Sequence, residues 1–301
     1  MFSQLLKKKI IFISGKGGTG KSVMSAVLGL LAAQQGKRVL LAESQVFDKL
    51  SPLFGYGAIG HNEVQVAERV SCINLDAKRC FAEYVKLHLG MEQLYDRVFR
   101  NGLVTSLLDA IPGLDETMIL GRLFHTCELS SSQKYDLVIF DGPASGHFLN
   151  LMATPETIIQ SGLVGPLVRE VGRVQAFLKD SSKSAGVIVT LPEALVMNET
   201  FEFLPIFAEK VPVPLAAIIL NRAYVYESGN FPPAIQAYFD RKQAETQRSR
   251  EDLVDLLRKT RFCDKVYTFP DIQVVPEPLK PQSVYDIAPL IEGMDFAAEL
   301  T

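Results

Sequence analysis

A glycine-rich stretch between a predicted buried strand and a predicted helix sets the strongest limit on how this chain can fold. The apolar run from Lys9 to Ser14 is typical of a buried parallel strand. Residues 15–22 read GKGGTGKS, and the stretch VMSAVLGLLAAQQ that follows has the composition of a helix, which Gly36 is suited to end. This order satisfies the pattern G-x-x-x-x-G-K-[ST] together with the strand and helix that should flank it. It predicts an α/β fold whose loop binds phosphates.

Each residue type in the loop suits a nucleotide. Glycines allow backbone N–H groups to turn inward around phosphate oxygens, and the start of the helix adds its partial positive charge. Lys21 can reach the outer phosphates, and the Ser22 hydroxyl can ligate Mg²⁺. We therefore predict ATP or ADP with Mg²⁺ as the cofactors. The predicted nucleotide contacts in this region are Gly15, Lys16, Gly17, Gly18, Thr19, Gly20, Lys21, Ser22 and Val23.

The rest of the chain alternates strands and helices. Four further apolar runs have the length of strands: 37–43, 136–141, 186–191 and 215–221. Such alternation is typical of a doubly wound, mostly parallel sheet with helices on both faces. Two mostly helical segments, about 79–128 and 155–180, interrupt it and predict an inserted helical subdomain, whereas 233–261 reads as a solvated helix. No linker or repeat is visible, so residues 1–301 are predicted to form a single phosphate-loop NTPase domain.

Charge and cysteine content weigh against several classes of protein. A net charge of −3 and a pI of about 5.9 argue against nucleic acid as a partner. The apolar run at the start is too short for a signal peptide, and no stretch approaches the roughly 20 apolar residues of a membrane span. We therefore expect a cytoplasmic protein with no stable membrane insertion. The four cysteines form no CxxC pair and are expected to be thiols: Cys72, Cys80, Cys127 and Cys263.

A second acidic motif follows the strand at 136–141, where the sequence reads DLVIFDGPASGHFL. Asp141 ends this strand, at the position from which a carboxylate can hold Mg²⁺ together with Ser22, often through water. The small residues after it suit a segment that senses whether a third phosphate is present.

Several motifs resemble, in order, one family of ATPases. Lys16, directly after the first glycine, is the mark of the deviant Walker A group. Residues 141–147 (DGPASGH) are similar to the switch II of the ArsA-type family, which includes the arsenite-pump ATPase and the tail-anchored-protein targeting ATPase. The segments 74–85, 111–124 (containing PGLDE) and 191–200 (PE followed by ET) also resemble this family. The resemblance covers almost the whole chain.

This resemblance implies roles that the residues alone do not. In the family, two subunits dimerise face to face, and the lysine matching Lys16 crosses to the partner's nucleotide, so Lys16 and Lys21 are both expected to be catalytic. Asn221, within the ILNR segment, stands where the family reads the adenine base. Pro278 and Leu279 begin a stretch similar to the loop that covers the base.

The family also implies a client. Its helical segments form an apolar surface that can receive a membrane-protein helix, and the matching stretches here have apolar residues at helical spacing. An ordinary core fits that spacing equally well, so both interpretations stay open. These residues are Tyr84, Val85, Leu87, Leu89, Met91, Leu94, Ile158, Ile159, Leu163, Val164, Leu167 and Val168.

The main departure from the family lies in switch I, where D-P-A-H becomes Gln45-Val-Phe-Asp48. Gln45 stands at the position of the catalytic carboxylate. It can orient a water molecule but cannot accept a proton, so we predict slow hydrolysis. Asp48 is either a substitute for the lost carboxylate or a solvated loop residue. The arsenite-binding thiols and the zinc CxxC of the family have no counterparts, because no cysteine lies between Pro155 and Cys263.

Four functions remain open on the sequence. The first is an ATP-driven switch that acts on a protein client or an assembly, as a homodimer or as a heterodimer with a related ATPase. The second is a regulatory subunit that hydrolyses little and pairs with an active paralogue. The third, a ParA/MinD-like positioning ATPase, is disfavoured because the end of the chain, 289–301, is acidic and lacks lysine and arginine. The fourth is a metabolic kinase or synthetase.

Overall fold

A computed structural model describes residues 4–89, 112–129, 134–162, 165–223, 233–260, 265–270 and 297–299. Its strands are β1 (Ile10–Ser14), β2 (Val39–Glu43), β3 (Val64–Ala67), β4 (Val70–Asn74), β5 (Leu137–Asp141), β6 (Ser184–Thr190), β7 (Leu215–Ala223), β8 (Lys265–Pro270) and β9 (Ala297–Glu299). They form one sheet in the order β3-β4-β2-β5-β1-β6-β7-β8-β9. Only β3 and β9, at the two edges, run antiparallel to their neighbours. The predicted mostly parallel, doubly wound α/β sheet is confirmed.

Helices connect the strands and cover both faces of the sheet. Those in the described part of the chain are α1 (Lys21–Gln34), α2 (Leu50–Leu53), α3 (Ala77–Leu89), α4 (Leu114–Phe124), α5 (Ser145–Gln160), α6 (Pro166–Lys179), α7 (Ala194–Lys210) and α8 (Pro233–Thr260). A π-helical turn, His125–Leu129, extends α4. None of these described helices combines the length and the apolar character needed to cross a bilayer.

Alternate residues of the central strands contribute their side chains to two apolar layers, one on each face of the sheet. Ile10 and Phe12 of β1 face the layer that includes α4, α5 and α7, whereas Ile11 and Ile13 face the layer that includes α1. Phe12 meets Phe140 edge to face, with 5.9 Å between ring centroids. Because both faces are covered, β1, β2 and β5 are buried at every position. Each fully buried large aliphatic side chain contributes about 1.5–3 kcal/mol.

The sheet is wider than the sequence predicts. The hairpin of β3 and β4 lies at one edge, and β8 and β9 lie at the other. Strand β3 is short, and Val66 is its one buried side chain: Val64 and Ala67 are partly buried and Gln65 is exposed. In the turn between β3 and β4, Arg69 adopts φ 60°, a left-handed backbone conformation that is uncommon for arginine and hence not predicted from the sequence. Edge strands of this kind depend on pairing with a neighbour rather than on their own pattern.

The parallel arrangement brings the carboxyl ends of the central strands to one edge of the sheet. In the strand register Asp141 of β5 pairs with Ile13 of β1 on one side and with Glu43 of β2 on the other. The loops after β1, β2 and β5 therefore meet at that edge, as ligand-binding loops do in open α/β sheets.

Candidate nucleotide site

The phosphate loop has the backbone that its glycines predict. Gly18 and Gly20 adopt φ of 84° and 92°, in the left-handed region that disfavours other residues. Gly15 adopts φ 139°, and a side chain there would collide with the carbonyl oxygen of Val189. A side chain at Gly20 would collide with the Asn221 amide, whose Nδ2 donates a hydrogen bond to the Thr19 carbonyl at 2.8 Å. Strands β6 and β7, which lie on one side of β1, thus support the loop.

Lys21 folds back into this loop. Its Nζ donates hydrogen bonds to the carbonyl oxygens of Gly15, at 3.0 Å, and Lys16, at 2.9 Å. Burial lowers the pKa of Lys21, and the nearby Asp141 carboxyl opposes this effect. The ammonium group is therefore held inside the concave side of the loop, where phosphate oxygens would be stabilised by its charge.

Asp141 lies beside the start of α1 as a candidate metal ligand. Its carboxyl oxygens accept hydrogen bonds from Ser22 Oγ at 2.5 Å and from Ser25 Oγ at 3.1 Å. Burial raises the pKa of Asp141, while the two serine hydroxyls and Lys21 counteract the shift. A hydroxyl and a carboxylate in contact suit Mg²⁺, which prefers oxygen ligands and usually completes its shell with waters and phosphates. The donor set therefore fits the predicted cation.

The Lys16 side chain points away from the phosphate loop and toward α7. Its Nζ forms an ion pair with Glu199 on α7, and both side chains are about a third or more exposed, at 33% and 43%. The two lysines of the loop therefore have different environments. Lys21 binds its own loop, whereas Lys16 lies at the surface, bound to the helix that follows β6.

The loop after β2, residues 44–49, is tied to the sheet at its base. The Asn74 side chain accepts a hydrogen bond from the Gln45 N–H at 2.9 Å and donates one to the Gln45 carbonyl at 2.9 Å. Lys49 Nζ donates to Gln45 Oε1 at 3.3 Å. The positive charge of Lys49 adds to the lowering of the pKa of Lys21 and opposes the raised pKa of Asp141, so this end of the loop lies within electrostatic range of the nucleotide site.

Asp48 acts as a structural clamp, which differs from both interpretations that the sequence left open. It accepts hydrogen bonds from the N–H groups of Ile59 and Gly60 and from Asn74 Nδ2. Burial disfavours its charged form, but these hydrogen bonds outweigh burial and lower the pKa of Asp48. A carboxylate that accepts these hydrogen bonds is not a freely solvated loop residue, and it is not available as a base.

Glu43 is a residue of this site that sequence reasoning missed. It ends β2 beside Asp141, is only 2% exposed, and accepts hydrogen bonds from the N–H groups of Lys49 and Leu50. Burial raises the pKa of Glu43 to about 7, although those amides oppose the shift, and the nearby Asp141 and Asp48 add to it. A glutamate closing an otherwise apolar strand was the only signal in the sequence.

The raised pKa of Glu43 predicts a pH dependence of stability. Because the unfolded chain ionises more easily, the stabilisation is complete below the ordinary pKa of 4.5 and is lost as pH rises through about 7. The unfolding free energy of the native chain should thus fall by about 3 kcal/mol relative to that of Glu43→Gln across this window. Chemical denaturation at about pH 4 and about pH 8 measures it. The exposed Glu209→Gln is the control, and parallel pH profiles for the native chain and Glu43→Gln would contradict the prediction.

The structure brings most of the predicted site together. The loop from Gly15 to Ser22 joins Val23, Asp141 and Asn221, and Gln45 lies beside this group through Lys49. Pro278 and Leu279 lie outside the described residues. Besides Glu43, sequence reasoning gave no role to Ser25, Asn74 or Glu199. Ser25 carried a usable signal, because it lies three residues after Ser22 and so on the same helix face.

The apolar residues that were considered as a surface for a client differ in how deeply they are buried. Val85 and Ile158 are buried in the core, and Tyr84 and Leu167 pack partly against it. For Val85 and Ile158 the core interpretation agrees with the structure, whereas Tyr84 and Leu167 also line an open cavity between α3, α4 and α6. The side chains of Leu87, Leu89, Met91, Leu94, Leu163 and Val164 lie outside the described residues.

The loop, its lysine and the Ser22–Asp141 contact define a phosphate-loop nucleotide-binding protein of the α/β class. Residues 8–164, more than half of the chain, match the model of the ArsA-type anion-transporting ATPases. The chain belongs to this family. The resemblance predicted from the sequence is thereby confirmed, and so is its assignment to a class of ATPases.

Three relatives illustrate the family. ATPase BagA of Mycobacterium tuberculosis is 27% identical over 228 residues, which cover 73% of this chain and 66% of the relative. ATPase ASNA1 homolog 1 of Paramecium tetraurelia is 27% identical over 253 residues, covering 71% and 74%. ATPase GET3 of Lachancea thermotolerans is 27% identical over 181 residues, covering 54% and 52%. This chain thus spans just under two thirds of the mycobacterial relative and about half of GET3.

Proposed function

We propose that this chain is a Mg²⁺-dependent ATPase whose nucleotide state switches a dimer acting on a protein client or an assembly. The observation that carries the ATPase part is the joint geometry of Lys21 inside its loop and Ser22 in contact with Asp141. Membership of the anion-transporting ATPase family supports the same activity.

Each residue of the nucleotide site has a separate role in this proposal. Lys21 and the loop N–H groups bind the phosphates, while Ser22 and Asp141 would hold Mg²⁺. Bound Mg²⁺ supplies charge neutralisation at the outer phosphates. Gln45 orients the attacking water without accepting its proton, so hydrolysis by the isolated chain is slow. Asn221 is proposed to contact the adenine, and Pro278 and Leu279 to cover it.

Lys16 supports the dimer. Its ion pair with Glu199 keeps it off the nucleotide bound by its own loop. Because this pair is partly exposed and therefore weak, Lys16 can exchange Glu199 for the phosphate of a second subunit that approaches the same edge of the sheet. ATP would favour the closed dimer, because each Lys16 then gains a charge-assisted contact with the partner's outer phosphate.

Replacing Lys16 by alanine tests the dimer. A charge-assisted hydrogen bond contributes about 1.5–3 kcal/mol, so Lys16→Ala should weaken ATP-dependent association by at least about 10-fold. Light scattering with and without a non-hydrolysable ATP analogue measures association, and Lys210→Ala, on an exposed residue at the far end of α7, is the control. A native chain that stays monomeric in every nucleotide condition would refute the dimer.

A regulatory subunit is the second candidate, favoured by one observation. The chain retains Lys16, Lys21, Ser22 and Asp141 but has Gln45 where the family has its catalytic carboxylate. Such a chain can donate its lysine to an active paralogue while hydrolysing little itself. Mixing it with an ArsA-type paralogue from the same cell should then raise the ATPase rate of the paralogue, and a rate equal to the sum of the separate rates would contradict this role.

Three further assignments belong to the proposal. A single domain is supported because α4 and α6 share one apolar core with the sheet. A cytoplasmic location is supported by Cys72, Cys80 and Cys127, which are buried free thiols. A protein client rests on the family resemblance, and a pull-down from the native cell with ATP present is the experiment that would identify it.

A further inference from the structure

A cavity of about 420 Å³ opens between α3, α4 and α6. This volume is within the range of pockets that hold small organic molecules. Much of its wall is apolar and consists of Cys80, Met118, Leu167, Val171 and Val174. None of the residues that line it in the described part of the chain belongs to the phosphate loop or to the loop after β2. The cavity is therefore a candidate for a second binding site, separate from that of the nucleotide.

Gly121 contributes to the open space of this cavity. It lies inside α4, where glycine destabilises a helix relative to alanine. Its φ is outside the left-handed region, so the backbone does not require glycine there. No atom of the described residues lies within 4 Å of the position that a Cβ would take, so close packing does not require glycine either. Gly121 does line the cavity, and its missing side chain leaves room for a ligand.

The charged side chains of the cavity differ in how far they are shielded from solvent. Those of Glu63 and Glu170 are 21% and 15% exposed, whereas that of Lys134 is 59% exposed. Lys86, which also lines the cavity, is exposed as well. Solvent weakens the interactions of exposed charges, so the two lysines contribute less to the inside of the cavity than the two carboxylates do.

Arg122 is as well shielded as these carboxylates, but it is already bound to two glutamates. Its guanidinium donates a hydrogen bond to Glu63 Oε1 at 2.9 Å, and its Nε lies 2.7 Å from Glu83 Oε2. Glu63 also accepts a hydrogen bond from the Tyr135 hydroxyl at 3.0 Å. An anionic ligand would have to compete with both glutamates for Arg122, so this arginine does not make the cavity a site for anions.

Glu170 has a weaker partner. It lines the cavity from α6 and pairs at 2.9 Å with Arg173, three residues later on the same helix. The Arg173 side chain is 55% exposed, and such pairs contribute little. Glu170 also lies close to Tyr84 on α3: burial raises the pKa of Tyr84, and the negative charge of Glu170 adds to this shift. A carboxylate and an aromatic ring therefore lie near each other in the lining of the cavity, a combination that suits a cation.

We infer that this cavity binds a small organic cation, an apolar molecule that carries one protonated amine. The apolar wall buries the body of the molecule, and the Glu170 carboxylate accepts a hydrogen bond from its ammonium group near the Tyr84 ring. A neutral molecule would shield Glu170 from water without replacing the lost hydrogen bonds by a charged partner, and an anion would be repelled by it. This inference does not depend on the proposed ATPase activity.

Three probes of similar shape and different charge test the inference. They are 2-phenylethylamine, which is protonated at neutral pH, 2-phenylethanol and 3-phenylpropionate. Isothermal calorimetry on the full chain measures their affinities. We expect the amine to bind saturably and the alcohol to bind at least about 10-fold more weakly, because the alcohol lacks the charge-assisted hydrogen bond to Glu170. The carboxylate should bind most weakly of the three.

Two variants place the amine in the cavity. Glu170→Gln should weaken binding of the amine by about 10-fold or more and leave that of the alcohol unchanged. Gly121→Leu fills the cavity and should weaken binding of both probes, while leucine, a better helix former than glycine, retains α4. The control is Glu209→Gln, an exposed carboxylate on α7, which should bind the amine like the native chain. All three variants should bind ATP with native affinity.

Each alternative outcome decides against one part of the inference. Tighter binding of 3-phenylpropionate than of the amine would show that Arg122 recognises an anion, so the predicted charge is wrong. If Gly121→Leu binds the amine like the native chain, the amine binds elsewhere. A native chain that shows no saturable binding of the amine overturns the inference. Should Glu170→Gln fail to fold, Gly121→Leu and the three probes still decide. A chain that binds the amine but not ATP refutes the proposed ATPase and leaves the cavity assigned.

Discussion

Replacing Gln45 by aspartate should raise the rate of ATP hydrolysis by about 10²–10⁴-fold, because it introduces a side chain that can accept a proton from the attacking water. The main chain at Gln45 is held by Asn74, so the new carboxylate would start from a defined position. Single-turnover release of phosphate from ATP, with Mg²⁺ and enzyme in excess, measures the chemical step.

Two variants sharpen this test. Gln45→Asn has the shape of aspartate without its charge and should stay as slow as the native chain. Lys49 Nζ contacts the Gln45 side chain, so it would pair with the new carboxylate and lower its basicity. The double variant Gln45→Asp/Lys49→Ala should therefore be faster than Gln45→Asp. A native rate that Gln45→Asp leaves unchanged would show that this position does not limit hydrolysis.

Replacing Lys21 by alanine should weaken binding of ATP by roughly 10- to 150-fold, the equivalent of one charge-assisted contact of about 1.5–3 kcal/mol. Within the described residues, the hydrogen bonds of this side chain go to the loop carbonyls of Gly15 and Lys16, so its loss should leave the core intact. Isothermal calorimetry gives the affinity, and thermal unfolding monitors the fold.

The control for this variant is Lys179→Ala, an exposed lysine in the last turn of α6 that lies outside the site. It should bind ATP like the native chain. If a folded Lys21→Ala protein binds ATP with unchanged affinity, the phosphates bind elsewhere and the assignment of the loop is wrong.

The parallel sheet and the phosphate loop could be predicted from the order of the amino acids, because both depend on local patterns. Continuous apolar runs are needed where helices cover both faces of a strand, as at β1 and β5. The glycines at 18 and 20 were readable because only glycine adopts their backbone angles without strain. Asp141 could be recognised because a carboxylate at the end of a buried strand is costly unless it has a partner.

The roles of the polar residues around the loop depend on contacts between distant segments, which no local pattern predicts. Lys16 meets Glu199 across 183 positions of sequence, and Asp48 is bound to amides 11 and 12 residues further along the chain. Glu43 acquires its raised pKa from burial beside Asp141, which the pairing of β2 with β5 creates. A charged side chain carries little information about its partner until the chain folds, because its energy depends on burial and on neighbours brought from distant segments.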